Sequence, residues 1–259
     1  MRVCSLGSGS KGNCIYINVE GHGIIIDNGL SCRELNNRMK SIGLDIMDIN
    51  HILITHDHSD HIKGIGILAR NTNAVIYAHP QCYKAIADRV GDVNYCGDNE
   101  NFENGFKIGD VFIKPFRTPH DAAYSVGYRI EGEGKTFALA TDLGVVTDSI
   151  IKHLKGTDIT ILESNHDINM LKKGSYPEQL KRRIMSNRGH LANIETAMAV
   201  NKLAESSKRF LLAHLSEDNN LKKLAFDETN NVLKRLGATK SDISLDILDQ
   251  YIPSKIYDI

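Results

Sequence analysis

Six consecutive residues, His56-Asp57-His58-Ser59-Asp60-His61, constrain this chain more than any other stretch. They follow the apolar run Ile52-Leu53-Ile54, which reads as a buried strand, so they stand where a strand leaves the core. His56 and His58 are two apart, and extended backbone sends alternate side chains to one side. Asp60 and His61 fall in a turn before a helix read over residues 62–69. Imidazole nitrogens and carboxylate oxygens this close together suit a borderline divalent metal, and four at one strand end suit two.

The same arrangement recurs downstream. Apolar runs at 111–117, 135–140, 159–162 and 210–213 read as strands, and they lead to His120, Asp142, Glu163 and His214. With His56, five such residues stand just past five separate strands. Parallel or mixed sheets gather functional residues at one edge in this way. The rest of the pattern alternates strands with helices. Strands read at 14–19, 24–26, 74–78, 125–131 and 243–248, the fourth closing a hairpin on 135–140 around Gly132-Glu133-Gly134. Ser31 and Glu34 form a capping box for a helix running to Gly43. Further helices read at 81–90, from Ser175-Tyr176-Pro177-Glu178, at 192–206, and at 221–236 with Gly237 as the residue past its end. Residues 91–110 read as turns and a hairpin. No linker or repeat interrupts the 259 residues, so the expectation is one α/β domain over 1–259.

Composition excludes some classes. A net charge of −1 provides no global field for nucleic acid, so any anion site must be local. Five cysteines without CxxC spacing read as a reduced, cytoplasmic chain and not a disulfide frame. No apolar stretch reaches membrane-spanning length, so no membrane partner is expected. The loop Gly7-Ser8-Gly9-Ser10-Lys11-Gly12-Asn13 has two readings, a cradle of bare amides for an anion or a flexible hairpin turn. Lys172, Lys173, Lys181, Arg182, Arg183 and Arg188 form a local basic run between Glu163 and His190. It is either a phosphate-pairing surface or a solvated helix face.

The chain resembles the metallo-β-lactamase fold, through HxHxDH followed by a His, an Asp and a late His at strand ends. Within that superfamily it is most similar to the YycJ/VicX/WalJ subgroup, through GSGSKGN at 7–13, ESNHD at 163–167, RGHLAN at 188–193 and AHLSEDNN at 213–220. The resemblance spans essentially the whole chain. It implies an αββα sandwich, two mixed β-sheets flanked by helices, with two metal ions (Zn or Mn) at one edge. It implies that His56, His58 and His120 hold one ion, that Asp60, His61 and His214 hold the other, and that Asp142 bridges them. Two ions about 3.5–4 Å apart can raise a nucleophile from water and stabilise both oxygens of an in-line phosphoryl displacement. The bridging Asp, with no Cys near it, departs from true β-lactamases and agrees with phosphodiesterases.

The resemblance also gives catalytic roles to Asp60, Glu163 and His190, with Glu163 and His190 matching the proton relay of tRNA 3′-processing nucleases. An imidazole oriented by a carboxylate is a suitable general acid. Ser8, Ser10, Asn13 and His166 are substrate-binding candidates; His166 either touches substrate or caps a turn. Asp142 follows His120 by only 22 positions, too few for a long tRNA-clamping arm, and His214 follows Asp142 by 72, too few for a β-CASP domain. The subgroup is associated with 5′→3′ exonuclease activity on DNA, which makes a dinuclear-metal DNA exonuclease the first expectation. The alternative is a small-molecule phosphodiesterase, favoured if the basic run points away from the metals. A non-hydrolytic scaffold is the third, and the full ligand set speaks against it.

Overall fold

The computed structural model describes residues 1–97, 99–235 and 243–259. In chain order it runs β1 Arg2–Gly7, β2 Cys14–Val19, β3 His22–Ile26, α1 Cys32–Ser41, β4 Ile49–Leu53, α2 Ser59–Ile62, α3 Ile65–Thr72, β5 Val75–Tyr77, α4 Pro80–Val90, β6 Tyr95–Cys96, α5 Asn99–Asn104, β7 Phe106–Ile108, β8 Val111–Arg117, β9 Val126–Gly132 and β10 Lys135–Ala140. It continues through α6 Asp148–Leu154, β11 Ile159–Glu163, α7 Ile168–Lys173, α8 Glu178–Ile184, α9 Asn193–Leu203, β12 Arg209–Ala213, α10 Lys222–Arg235, β13 Ser244–Ile247 and β14 Tyr257–Asp258.

These strands make two mixed seven-stranded sheets, ordered β14-β1-β2-β3-β4-β5-β6 and β13-β12-β11-β10-β9-β8-β7. In each, an antiparallel half adjoins a parallel half: β3 pairs parallel with β4, and β10 with β11. The period of two along a strand decides which layer each residue joins. On β10, Phe137 and Leu139 enter the core between the sheets, whereas Ala138 and Ala140 join the outer cluster under the helices. On β12, Leu211 faces the first and Phe210 and Leu212 face the second. Burial on both faces explains why these strands read as continuous apolar runs. The αββα expectation is met.

Several local readings need correction. Residues 62–69 are not one helix: Asp60 and His61 lie in the single turn α2, and α3 starts anew at Ile65. Gly64 separates them because a Cβ there would sit 2.1 Å from the Leu30 carbonyl oxygen. Ser31 caps α1 by accepting the Glu34 amide at 3.2 Å, but the Glu34 carboxylate turns to Arg38 instead of closing the box. Residues 91–110 contain α5 as well as strands. The expected Gly237 terminus lies outside the described residues.

Candidate metal centre and active site

Every candidate ligand leaves a strand or the turn after it. His56 and His58 follow β4, His120 follows β8, Asp142 follows β10 and His214 follows β12, while Glu163 is the last residue of β11. Among the described residues, six non-glycine residues have positive φ, and three of them line this edge: Asp27 at 59°, Asp142 at 56° and His214 at 55°. Left-handed backbone is disfavoured for such residues and clusters at functional sites. Here it turns each side chain off its strand into the space between the sheet ends.

Two donor triads result. His56, His58 and His120 can offer nitrogens within 4.8 Å of one another, and so can Asp60, His61 and His214 with theirs. Asp142 faces both: its Oδ2 is 3.2 Å from His61 Nε2, and its Oδ1 is 3.7 Å from both His120 Nε2 and His214 Nε2. Within the second triad, Asp60 Oδ2 is 3.5 Å from His61 Nε2 and 3.6 Å from His214 Nε2. His56 Nε2, His214 Nε2 and Asp142 Oδ2 are buried without a hydrogen-bond partner. Buried polar atoms are normally satisfied, so orphaned donor atoms converging on one space fit a cation.

The other ring nitrogens are committed to the protein. His61 Nδ1 meets Asp27 Oδ2 at 2.7 Å, His56 Nδ1 meets Thr55 Oγ1 at 2.9 Å, His120 Nδ1 meets the Gly189 carbonyl at 3.1 Å, and His214 Nδ1 meets Glu163 Oε1 at 2.9 Å. Such partners fix tautomer and ring orientation, leaving Nε2 for a metal. Asp27 also accepts the Thr55 amide and hydroxyl, at 2.8 and 2.6 Å. Asp27 is not among the sequence candidates, although it directly follows the apolar run 24–26, the same signal of a carboxylate after an apolar run that marks Asp142.

Electrostatics separate the two triads. Burial and neighbouring imidazoles push His56 well down, and burial pushes His120 down. Burial also acts on His214, but Asp142, Asp60 and Glu163 outweigh it and raise it to about 10. His61 is raised well above the usual range because Asp142, Asp27 and Asp60 overcome its burial. The carboxylate-rich triad therefore holds protons that a cation would displace.

Glu163 is fully buried and serves two histidines. Its Oε1 accepts from His190 Nδ1 at 2.8 Å as well as from His214, and its Oε2 accepts the amides of Leu143 at 3.1 Å and Leu191 at 3.2 Å. His190, by its charge and its hydrogen bond, and His214 outweigh burial and hold its carboxyl at about 2. His190 and Asp60 line a cavity of about 360 Å³ together with His58, Asp142 and His214. Tyr176, Leu180 and Arg183 line it as well.

The substrate-binding candidates divide. Ser10 lines the cavity. Ser8 Oγ accepts the His214 amide at 2.8 Å, and Asn13 Nδ2 lies 3.3 Å from Asp60 Oδ2 and 3.0 Å from His61 Nε2, so both hold ligands in place. His166 is buried off the cavity wall, its backbone bridged to Ala192. Of the basic run, only Arg183 lines the cavity, in a bidentate pair with Asp121 at 2.5 and 3.0 Å. Arg188 donates to the His120 carbonyl and Lys181 to the Lys172 carbonyl, while Lys172, Lys173 and Arg182 are exposed. The motifs at 163–167, 188–193 and 213–220 meet in a buried amide network. Ser164 Oγ donates to Asn193 at 2.7 Å, and Asn220 Nδ2 donates to Asn193 at 2.9 Å and to the Asn165 carbonyl at 3.0 Å.

Two facing mixed sheets at whose edge five histidines and two aspartates cluster are the build of the metallo-β-lactamase superfamily. Residues 22–215 match the family model described as the beta-lactamase superfamily domain. The chain is 36% identical over 260 residues to Exodeoxyribonuclease YycJ of Bacillus anthracis, covering 97% of this chain and 96% of that protein. It is 37% identical over 225 residues to Exodeoxyribonuclease WalJ of Streptococcus pneumoniae, covering 85% and 83%. Among solved structures, the metallo-beta-lactamase fold protein YhfI from Bacillus subtilis superposes with a TM-score of 0.74 over 98% of both chains at 16% identity. The chain belongs to the YycJ/WalJ family of metallo-β-lactamase-fold proteins.

Proposed function

We propose that this protein is a metal-dependent phosphodiesterase that degrades DNA exonucleolytically, in the 5′→3′ direction. The observation that carries the hydrolytic part is the pairing of two donor triads across Asp142, with the His190–Glu163 pair facing the same cavity. The DNA part is supported by the similarity to two exodeoxyribonucleases over most of the chain. His56, His58 and His120 would hold one divalent ion, zinc or manganese. Asp60, His61 and His214 would hold a second, with Asp142 between. When bound, such ions supply Lewis acidity toward a phosphodiester. The chain's own residues do the remainder. His190, with Nδ1 committed to Glu163, presents its other nitrogen to the cavity as the proton donor for the leaving oxygen. Arg183 is the one Lys or Arg among the described cavity-lining residues; Asp121 engages its Nε and Nη2, and the N–H donors left over suit a phosphate oxygen. Asp60 positions the second ion.

The small-molecule phosphodiesterase is the second reading, and one observation favours it: five of the six basic residues at 172–188 do not line the cavity. The orphaned buried donors disfavour a scaffold without chemistry. Five free cysteines support a cytoplasmic location. Among the described residues no helix is long and apolar enough to cross a membrane.

The test uses chelator-stripped protein resupplied with Mn or Zn, on end-labelled linear DNA and on a covalently closed circle. The expected result is metal-dependent release of the 5′ label as mononucleotide with the circle intact. Hydrolysis of bis(p-nitrophenyl) phosphate without attack on DNA would favour the small-molecule reading instead.

A further inference from the structure

Ser216 lines the active cavity and also lines a second cavity of about 230 Å³ formed by residues 215–217, 220–222 and 248–251. The Gly/Ser loop joins the two, with Ser10 on the wall of the first and Ser8 on the wall of the second. The second cavity is surfaced by Leu215, Leu221, Leu248 and Tyr251, and Leu221 and Tyr251 are 57% and 53% exposed. Apolar surface is thus open to solvent beside the reactive centre.

Its charges are already engaged. Lys222 pairs with Asp249, and the Tyr251 hydroxyl donates to Glu217 at 2.5 Å. The backbone that carries the ring is also held in place. Asp249 Oδ1 accepts the amides of Tyr251 at 2.6 Å and Ile252 at 3.0 Å, and the Asp249 carbonyl accepts the Ser8 amide at 3.0 Å. Gln250 Oε1 accepts the Lys11 amide at 3.0 Å. An aromatic face tethered through its hydroxyl, apolar neighbours and no free cation among the described lining residues do not suit a phosphate. They suit a flat base, which stacks on an aromatic side chain whatever its sequence.

We propose that this second cavity binds the base of the nucleotide flanking the scissile phosphodiester, stacked on Tyr251. The proposal rests on the nuclease reading and assigns its substrate a second contact, outside the metal cavity. The test compares kcat/KM for a DNA oligonucleotide with kcat/KM for bis(p-nitrophenyl) phosphate in the metal-loaded protein. In Tyr251→Ala the DNA-to-nitrophenyl ratio should fall about tenfold, the scale of one lost stacking contact. Tyr251→Phe, which keeps the ring, should hold the ratio near wild type. A Tyr251→Ala ratio equal to wild type overturns the proposal, whether or not both rates fall. Wild-type protein that cleaves the nitrophenyl ester and leaves DNA intact overturns the nuclease reading itself, and this proposal with it.

Discussion

Asp142→Ala is expected to abolish hydrolysis and to loosen both metal ions at once. One carboxylate faces ligands of both triads, with Oδ2 toward His61 and Oδ1 toward His120 and His214. Its removal takes an oxygen from each site and leaves clustered imidazoles without the anion that balances them. Loss of a ligand exceeds the 10–100-fold cost usual for an outer partner of a metal ligand. The check is metal content after gel filtration beside turnover of bis(p-nitrophenyl) phosphate. Two tightly retained ions in the variant would show that Asp142 is not the shared ligand.

His190→Ala is expected to behave differently. General acid catalysis is worth about 10²–10⁴-fold, and the DNA cleavage rate should fall within that range. Metal content should hold, because Glu163 keeps His214 and the amides of Leu143 and Leu191 as partners when His190 is gone. The loss should shrink on a nitrophenyl phosphodiester, whose leaving oxygen is already acidic and needs no proton. Equal losses on both substrates would assign His190 to phosphate binding or structure. The companion variant Glu163→Ala should cost metal as well as rate, since the same Oε1 also orients His214.

The strand ends were legible because each is an apolar run closed by a polar residue, and burial on both faces makes those runs continuous. That pattern located His56, His120, Asp142, Glu163 and His214 before any coordinates. It did not reveal which histidines donate Nδ1–H to a protein acceptor, since Asp27 and Thr55 act through the fold and not through spacing. Nor did it separate Ser8 and Asn13, which brace ligands, from Ser10, which lines the cavity. Short elements escaped for a different reason. α6 has seven residues and α7 six, under two turns, so periodicity has little to register. β14 has two residues, and its pairing with β1 joins the opposite ends of the described chain. The basic run kept two readings open because sequence proximity to Glu163 and His190 does not say which way a helix face points; only Arg183 turns to the cavity.

The central claim is that two ions occupy the space between the sheet ends, sharing Asp142. Anomalous diffraction at the metal edge, from crystals of protein loaded with Mn or Zn, measures this directly. The account predicts two peaks about 3.5–4 Å apart, one among His56, His58 and His120, the other among Asp60, His61 and His214, with Asp142 between them. A single peak, or two peaks with His120 or His214 pointing away from both, would contradict it.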